Sequence, residues 1–232
     1  MEHAVVSHRE WLEARAALLA KEKEFSRRRE DLAHERRDLP WEEVAKDYVF
    51  EGPAGKETMV DLFDGHSQLV VYHFMFDPED DEGCPHCSFW ADNFDGAPVH
   101  LAARDVAFVG VSRAPYTKIA AYRSRMGWSF PWVSSWGSDF NYDLGVAFPP
   151  DDVRAHTAVY NYGSDPGMED REGLSVFVKG DGGRIFHTYS TYARGIDMVN
   201  GTYQFLDLVP KGRDEPPGEP QLWVRRHDEY GR

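Results

Sequence analysis

The sequence predicts an α/β fold, a central mixed sheet flanked by helices with a long N-terminal helical arm in front of it, and three observations predict it. Two apolar runs, Leu69–Phe76 and Asp105–Ser112, carry almost no polar alternation, as strands of a sheet covered on both faces do. Helical stretches separate and follow them, so a right-handed βαβ unit is the expected connection. Further on, Leu174–Val178 and Arg184–Tyr189 flank the turn Gly180-Asp-Gly-Gly183 and read as an antiparallel hairpin.

In chain order, Ser7-His-Arg-Glu10 has the form of a capping box, and a charged helix should run from it to Leu39, where Pro40 ends it. Trp11, Leu18, Phe25, Leu32 and Leu39 stand seven apart, which is half a coiled-coil seam. Such a stripe serves either the chain's own globular body or a homodimer contact through this helix. Tyr48–Lys56, with Gly52-Pro-Ala-Gly55 inside it, predicts a hairpin. Thr58–Phe63 reads as a short strand or helical turn ahead of the central strand. A helix should open at Cys84 and reach about Asp95, and Pro98 restarts one through Arg104. Pro115–Met126 is helical, with Gly127 just past its end. Phe130–Ser135 is extended, Ala155–Tyr160 reads as a strand, and a last helix spans Met198–Leu208. From Pro210 the composition is charged and Pro-rich and predicts no regular structure. The expected organisation is therefore an arm over 1–40, a domain over 41–209 and a polar tail over 210–232. Strand, helix, strand, helix, hairpin, helix is the order of a thioredoxin-like fold.

With 232 residues the chain suffices for one full core, and its formal charge of −14 argues against nucleic acid and anionic membrane surfaces as partners. No apolar run approaches the roughly 18 residues of a membrane span, and the first residues lack a signal-peptide pattern, so the cytoplasm is the expected compartment. Asn200-Gly-Thr202 matches a glycosylation acceptor and is discounted on the same ground.

Cys84 and Cys87 are the chain's two cysteines, in the pattern Cys84-Pro-His-Cys87 after a strand and at the start of a helix. In a reducing compartment such a pair is redox-active or metal-binding more than structural. A thiolate at a helix N-terminus sits among unsatisfied N–H donors, which lowers its pKa and activates it. A second cysteine one turn on can then close an intramolecular disulfide. His86 inside the motif would tune the first thiol. Opposing it, Glu79, Asp80, Asp81 and Glu82 precede Cys84, and negative charge raises a thiol pKa; helix terminus and His86 are expected to prevail.

These segments together resemble a bacterial family of thioredoxin-like proteins catalogued as a domain of unknown function. That family is distantly related to the alkyl hydroperoxide reductase and thiol-specific antioxidant group. The resemblance is carried by Val6–Trp11, Tyr72–Phe76, Cys84–Gly96, Val111–Pro115, Met126-Gly-Trp128, Phe130–Ser135, Phe140–Asp143 and Phe186–Gly195. It implies the fold, with Cys84 as the exposed attacking sulfur and Cys87 as the buried resolving one. Pro85 and His86 match the dipeptide of strongly oxidising disulfide-forming enzymes, in which the histidine supports the thiolate. The peroxiredoxin signature Pro-x-x-x-Thr-x-x-Cys is not met, since Asp81 stands at the threonine position and Pro78 at neither. The place of the thioredoxin cis-proline reads Glu172-Gly-Leu-Ser175, with no proline, which argues against the usual backbone recognition of a peptide and leaves a small-molecule disulfide or an unknown partner more open.

Other candidates are less specific. Trp90 on the active helix, Trp132 in the aromatic segment Trp128–Tyr142, Arg113, Arg194, His73 and His187 are candidates for walls, cations or hydrogen-bond partners of the thiols. Core packing is the competing account of the aromatics, and strand histidines are commonly just packed. The expected function is a thiol–disulfide oxidoreductase with Cys84 as nucleophile, Cys87 as resolver and His86 tuning the pKa. Pro85, Trp90, Arg113, Trp132 and His187 would contact a disulfide or thiol substrate. No cofactor and no metal is expected, and an electron donor must exist. The alternatives are a non-catalytic binding or redox-sensing protein on the same fold, or a metal module that adds His86, His73 or His187 as ligands.

Overall fold

A computed structural model describes residues 3–231 and divides the chain into two compact units after Pro40. The first is a helix, α1 (His8–Arg37), closed at its start by the predicted capping box. Glu10 donates its backbone N–H to the Ser7 hydroxyl, and Ser7 donates its own to the Glu10 carboxylate at 3.0 Å. His34, Arg36 and Arg37 lie in its last turn, where positive charge complements the helix dipole.

The second unit is built on one eight-stranded sheet. Its strands are β1 (Glu42–Glu43), β2 (Val49–Gly52), β3 (Gly55–Thr58), β4 (Gln68–His73), β5 (Val106–Ser112), β6 (Trp132–Ser134), β7 (Gly173–Lys179) and β8 (Ile185–Tyr192). Their order is β1-β8-β7-β4-β5-β6-β2-β3. β4 and β5 are parallel, in register from Gln68↔Val106 to His73↔Val111, and β7 lies antiparallel to β4 on its other side. β8 pairs antiparallel with β7. The central order β5-β4-β7-β8, with a helix crossing from β4 to β5, is a thioredoxin-like core, here extended at both edges.

The helices of this unit are α2 (Pro85–Phe94), α3 (Pro98–Ala102), α4 (Tyr116–Met126), α5 (Phe140–Asp143), α6 (Pro150–Arg154) and α7 (Gly201–Leu206). Strand alternation splits the core in two. Tyr72 and Phe74 face α2 and α4 and pack with Phe89, Trp90, Tyr122 and Trp132. Leu69 and Val71 face the other way, onto Leu62, Phe63, Phe140 and Phe177. Each such buried side chain contributes about 1.5–3 kcal/mol, and edge-to-face aromatic contacts such as Tyr72–Phe94 at 4.9 Å add to it.

Three stretches differ from the sequence expectation. Ala155–Tyr160 is not a strand: α6 ends at Arg154 just before it, His156 takes a positive φ of 55°, and Tyr160 makes a single bridge to Ser164. The helix expected over Met198–Leu208 is divided into a 3-10 segment, Ala193–Val199, and α7, because Asn200 leaves the helix to cap the second piece, its side chain accepting from the Tyr203 N–H at 3.0 Å. The same Asn200 is fully buried, so the glycosylation motif is unusable in the folded chain. Past Pro210 the chain is irregular apart from a 3-10 turn, His227–Glu229, but held in place. Val224 is buried in the core facing α2, and one Glu215 carboxylate oxygen accepts from Tyr203 Oη, the Gln221 N–H and Trp223 Nε1 at 2.8–3.0 Å. Composition alone hides this, because specific side-chain hydrogen bonds replace regular backbone pairing.

Candidate active site

The loop between β4 and α2 delivers the cysteines. Cys84 is the N-cap residue of α2, partly exposed, with Pro85 supplying the helical φ of the first turn without spending an N–H. Its backbone N–H donates to the Met75 carbonyl at 3.1 Å, which ties the loop's end back onto the strand. One turn on, Cys87 is buried, and both cysteines are free thiols. The Met75 N–H points at Cys87 Sγ at 3.5 Å. Two hydroxyls fix the helix's first turn: Ser88 Oγ lies 2.8 Å from both the Cys84 carbonyl and Tyr122 Oη, and Tyr72 Oη donates to the Cys87 carbonyl at 3.1 Å.

This geometry separates the two thiols electrostatically. The Cys84 thiol is held well below its ordinary pKa by hydrogen bonding from the Cys87 thiol, then from His86 and the Cys87 amide, against the opposing cost of burial. Burial pushes Cys87 the other way, and the negative charge developing on Cys84 and that of Glu172 push it further. His86 is raised, chiefly by its hydrogen bond to Cys84 and also by one to the Gln221 backbone. The acidic loop does not undo this. Glu82 is paired with Arg125 at 2.6 Å and Arg226 at 3.0 Å, and Asp77 with Arg113 at 3.0 Å.

A cavity of about 210 Å3 opens beside the thiols. Cys84, His86, Cys87 and Trp90 line it, so four residues of the motif helix converge there. Trp90 serves the core as well, buried with its Nε1 donating to the Ile196 carbonyl at 3.1 Å. Arg194 also reaches this cavity, as an exposed cation paired with Asp197.

Arg113, Trp132 and His187 are not at the thiols. Arg113 is bound to Asp77 and stacked over Tyr142 around a separate hollow. Trp132 is fully buried, its Nε1 bonded to Ser112 Oγ at 3.0 Å. His187 lies on the sheet face opposite α2, 2.7 Å from Ser190 Oγ, beside a different cavity. His73 points to that same opposite face, against Phe140. Of the three histidines the metal alternative could add, His86 is therefore at Cys84 while His73 and His187 are on the other face. Among the described residues no three His, Cys, Asp or Glu side chains converge to hold a metal ion.

The cavity's far wall was not singled out as polar lining by the sequence. Arg171, Glu172 and Gln221 complete it, from the approach to β7 and from the C-terminal segment. Glu172 opens the stretch where a thioredoxin carries its cis-proline, and no cis peptide bond occurs among the described residues. Its carbonyl accepts from Tyr160 Oη at 2.8 Å.

A family model described as "Bacterial protein of unknown function (DUF899)" matches residues 1–230. Among solved structures, the chain is similar to a peroxidoxin, BcpB, from Mycobacterium tuberculosis, at 16% identity over 71% of this chain and 95% of that one, with a TM-score of 0.46. It is also similar to a bacterioferritin comigratory protein from Xanthomonas campestris, at 17% identity over 71% and 94%, with a TM-score of 0.45. No curated protein matches it. Among the described residues no helix is long and apolar enough to cross a membrane.

Proposed function

The chain belongs to the bacterial family DUF899, and we propose that this member is a thiol–disulfide oxidoreductase working through Cys84 and Cys87. One observation carries the proposal: a partly exposed thiol at a helix N-terminus, its pKa lowered, with a buried second thiol one turn on and in hydrogen-bonding contact with it. The Cys84 thiolate attacks one sulfur of a disulfide R–S–S–R′, forming a mixed disulfide and expelling R′–S⁻, which takes a proton. Cys87 loses its proton, attacks Cys84 Sγ and releases R–S⁻. The substrate gains two electrons and the protein keeps a Cys84–Cys87 disulfide, which a dithiol donor must reduce. His86, as imidazolium, stabilises the Cys84 thiolate before attack. The small cavity favours a low-molecular-weight disulfide over a polypeptide.

The test is Cys87→Ser. With the resolving sulfur gone, incubation with a small disulfide should leave a stable adduct on Cys84, visible by intact mass and removed by reductant. A variant that stays unmodified while its Cys84 remains accessible to alkylation would sink the proposal.

A further inference from the structure

We propose that the cavity beside His187, on the sheet face opposite α2, is a second binding site whose ligand is a small organic ammonium ion with an apolar body; the inference is independent of the thiol chemistry. The cavity holds about 530 Å3, more than twice the volume beside the thiols and ample for a small organic molecule. Four aromatic residues line it, Tyr48, Tyr162, Phe177 and Tyr192. Tyr48, Phe177 and Tyr192 are buried, whereas Tyr162 is 77% exposed and brings its ring to 5.6 Å from that of Tyr192. Asn161 and Tyr162 have φ +48° and +62°, the centre of a turn closed by the Gly163 N–H on the Tyr160 carbonyl at 3.2 Å. A tyrosine is uncommon in that conformation. Its hydroxyl donates to the Ser190 carbonyl at 3.1 Å, which pins the ring. A large ring is thus fixed at the surface, where packing alone gains little.

The polar groups around the cavity accept more than they donate. The hydroxyl hydrogens of Tyr48 and Tyr192, like that of Tyr162, are already spent, on the Asp143 carboxylate at 2.8 Å and the Leu144 carbonyl at 2.9 Å. The three phenol oxygens can still accept, as can the lining carboxylates of Glu42, Glu43 and Asp143. Lys46, the ammonium that lines the cavity, is committed to Asp139 at 2.6 Å and to Asp143 at 2.8 Å. His187 places Nε2 2.7 Å from Ser190 Oγ and Nδ1 3.5 Å from Glu42. The second contact is long and the Glu42 side chain is 81% exposed, so this carboxylate can turn to a ligand. Three carboxylates against one ammonium repel an anion, while aromatic rings attract a cation through their negative faces. A primary ammonium brings three donors to these acceptors. Its apolar body would lie against Val44, Leu144 and Phe177.

The experiment is isothermal titration calorimetry of the full-length protein near neutral pH with three compounds that share one indole ring. Tryptamine is a cation, tryptophol is neutral and indole-3-propionate is an anion. Tryptamine should bind saturably and about tenfold more tightly than tryptophol, with indole-3-propionate the weakest of the three. Added salt should weaken tryptamine and leave tryptophol unchanged. Glu42→Gln alters an exposed side chain and keeps its backbone pairing, so it should weaken tryptamine about threefold and spare tryptophol. Tyr162→Gly removes the ring while suiting the turn's backbone, and should weaken both compounds by up to about tenfold. No saturable heat with tryptamine at millimolar concentration, or equal affinity for tryptamine and tryptophol, would overturn the inference. So would a wild-type tryptamine affinity in both Glu42→Gln and Tyr162→Gly, which would put the amine elsewhere on the protein.

Discussion

Replacing His73 with leucine should remove a large part of the protein's sensitivity to acid. His73 ends β4 with no exposed surface, its Nε2 2.8 Å from Ser175 Oγ, which in turn lies 2.7 Å from Ser190 Oγ. No partner reaches its Nδ1 among the described residues. Burial, with His187 adding to it, pushes its pKa down from 6.5 to about 3. Between those values the unfolded chain binds a proton that the native state refuses. Stability therefore falls as pH drops through this window, by about 1.4 kcal/mol per pH unit. At pH 4.5 the loss comes to about 2.7 kcal/mol, and over the whole window it approaches about 5 kcal/mol. Leucine carries no proton and leaves Ser175 and Ser190 bonded to each other. The assay is urea unfolding of both proteins near pH 7.5 and pH 4.5, at about 1–3 kcal/mol per molar denaturant. Wild type should lose about 2.7 kcal/mol more than the variant between the two. Parallel losses would refute a neutral, buried His73.

Four further outcomes follow from the site and its supports. His86→Ala should slow Cys84 alkylation about tenfold near pH 6, with the rate recovering at alkaline pH; an unchanged profile would remove His86 from the mechanism. Gly83→Ala places a Cβ 2.7 Å from the Phe74 and Tyr122 rings, so urea unfolding should register a cost of about 1–3 kcal/mol. Trp90→Ala empties a site shared by core and cavity, and the same measurement should show a loss of about 3–5 kcal/mol. Asn200→Ala deletes the cap of α7 and should cost about 1 kcal/mol while leaving the Cys84 alkylation rate untouched.

What the sequence made legible is what its local order determines. Apolar runs without alternation located β4 and β5, the glycine turn located β7 and β8, and the capping box located the start of α1. Cys84, His86, Cys87 and Trp90 could be grouped because one helix carries them all, and helical spacing is written in the chain. His187 failed for a different reason, whereas Trp132 is taken up by the core beneath α2 and Arg113, past the end of β5, is held by Asp77. The face a strand residue occupies depends on register, and β8 presents His187 to the core opposite α2. Arg171, Glu172 and Gln221 were harder still, since the cavity joins side chains from Tyr72–Trp90, Met168–Glu172, Ala193–Asp197 and Gln221 through contacts with no periodic signature. Glu215 shows why the tail misled: a Pro-rich, charged stretch was ordered by one carboxylate with three donors.

The most direct measurement is a count of free thiols after equilibration in a series of thiol–disulfide buffers, with intact mass read alongside. The account predicts one reversible two-electron transition, a loss of two hydrogens, and its disappearance in Cys84→Ser and in Cys87→Ser. Two thiols that stay reduced across the series, or that oxidise only between molecules, would contradict it.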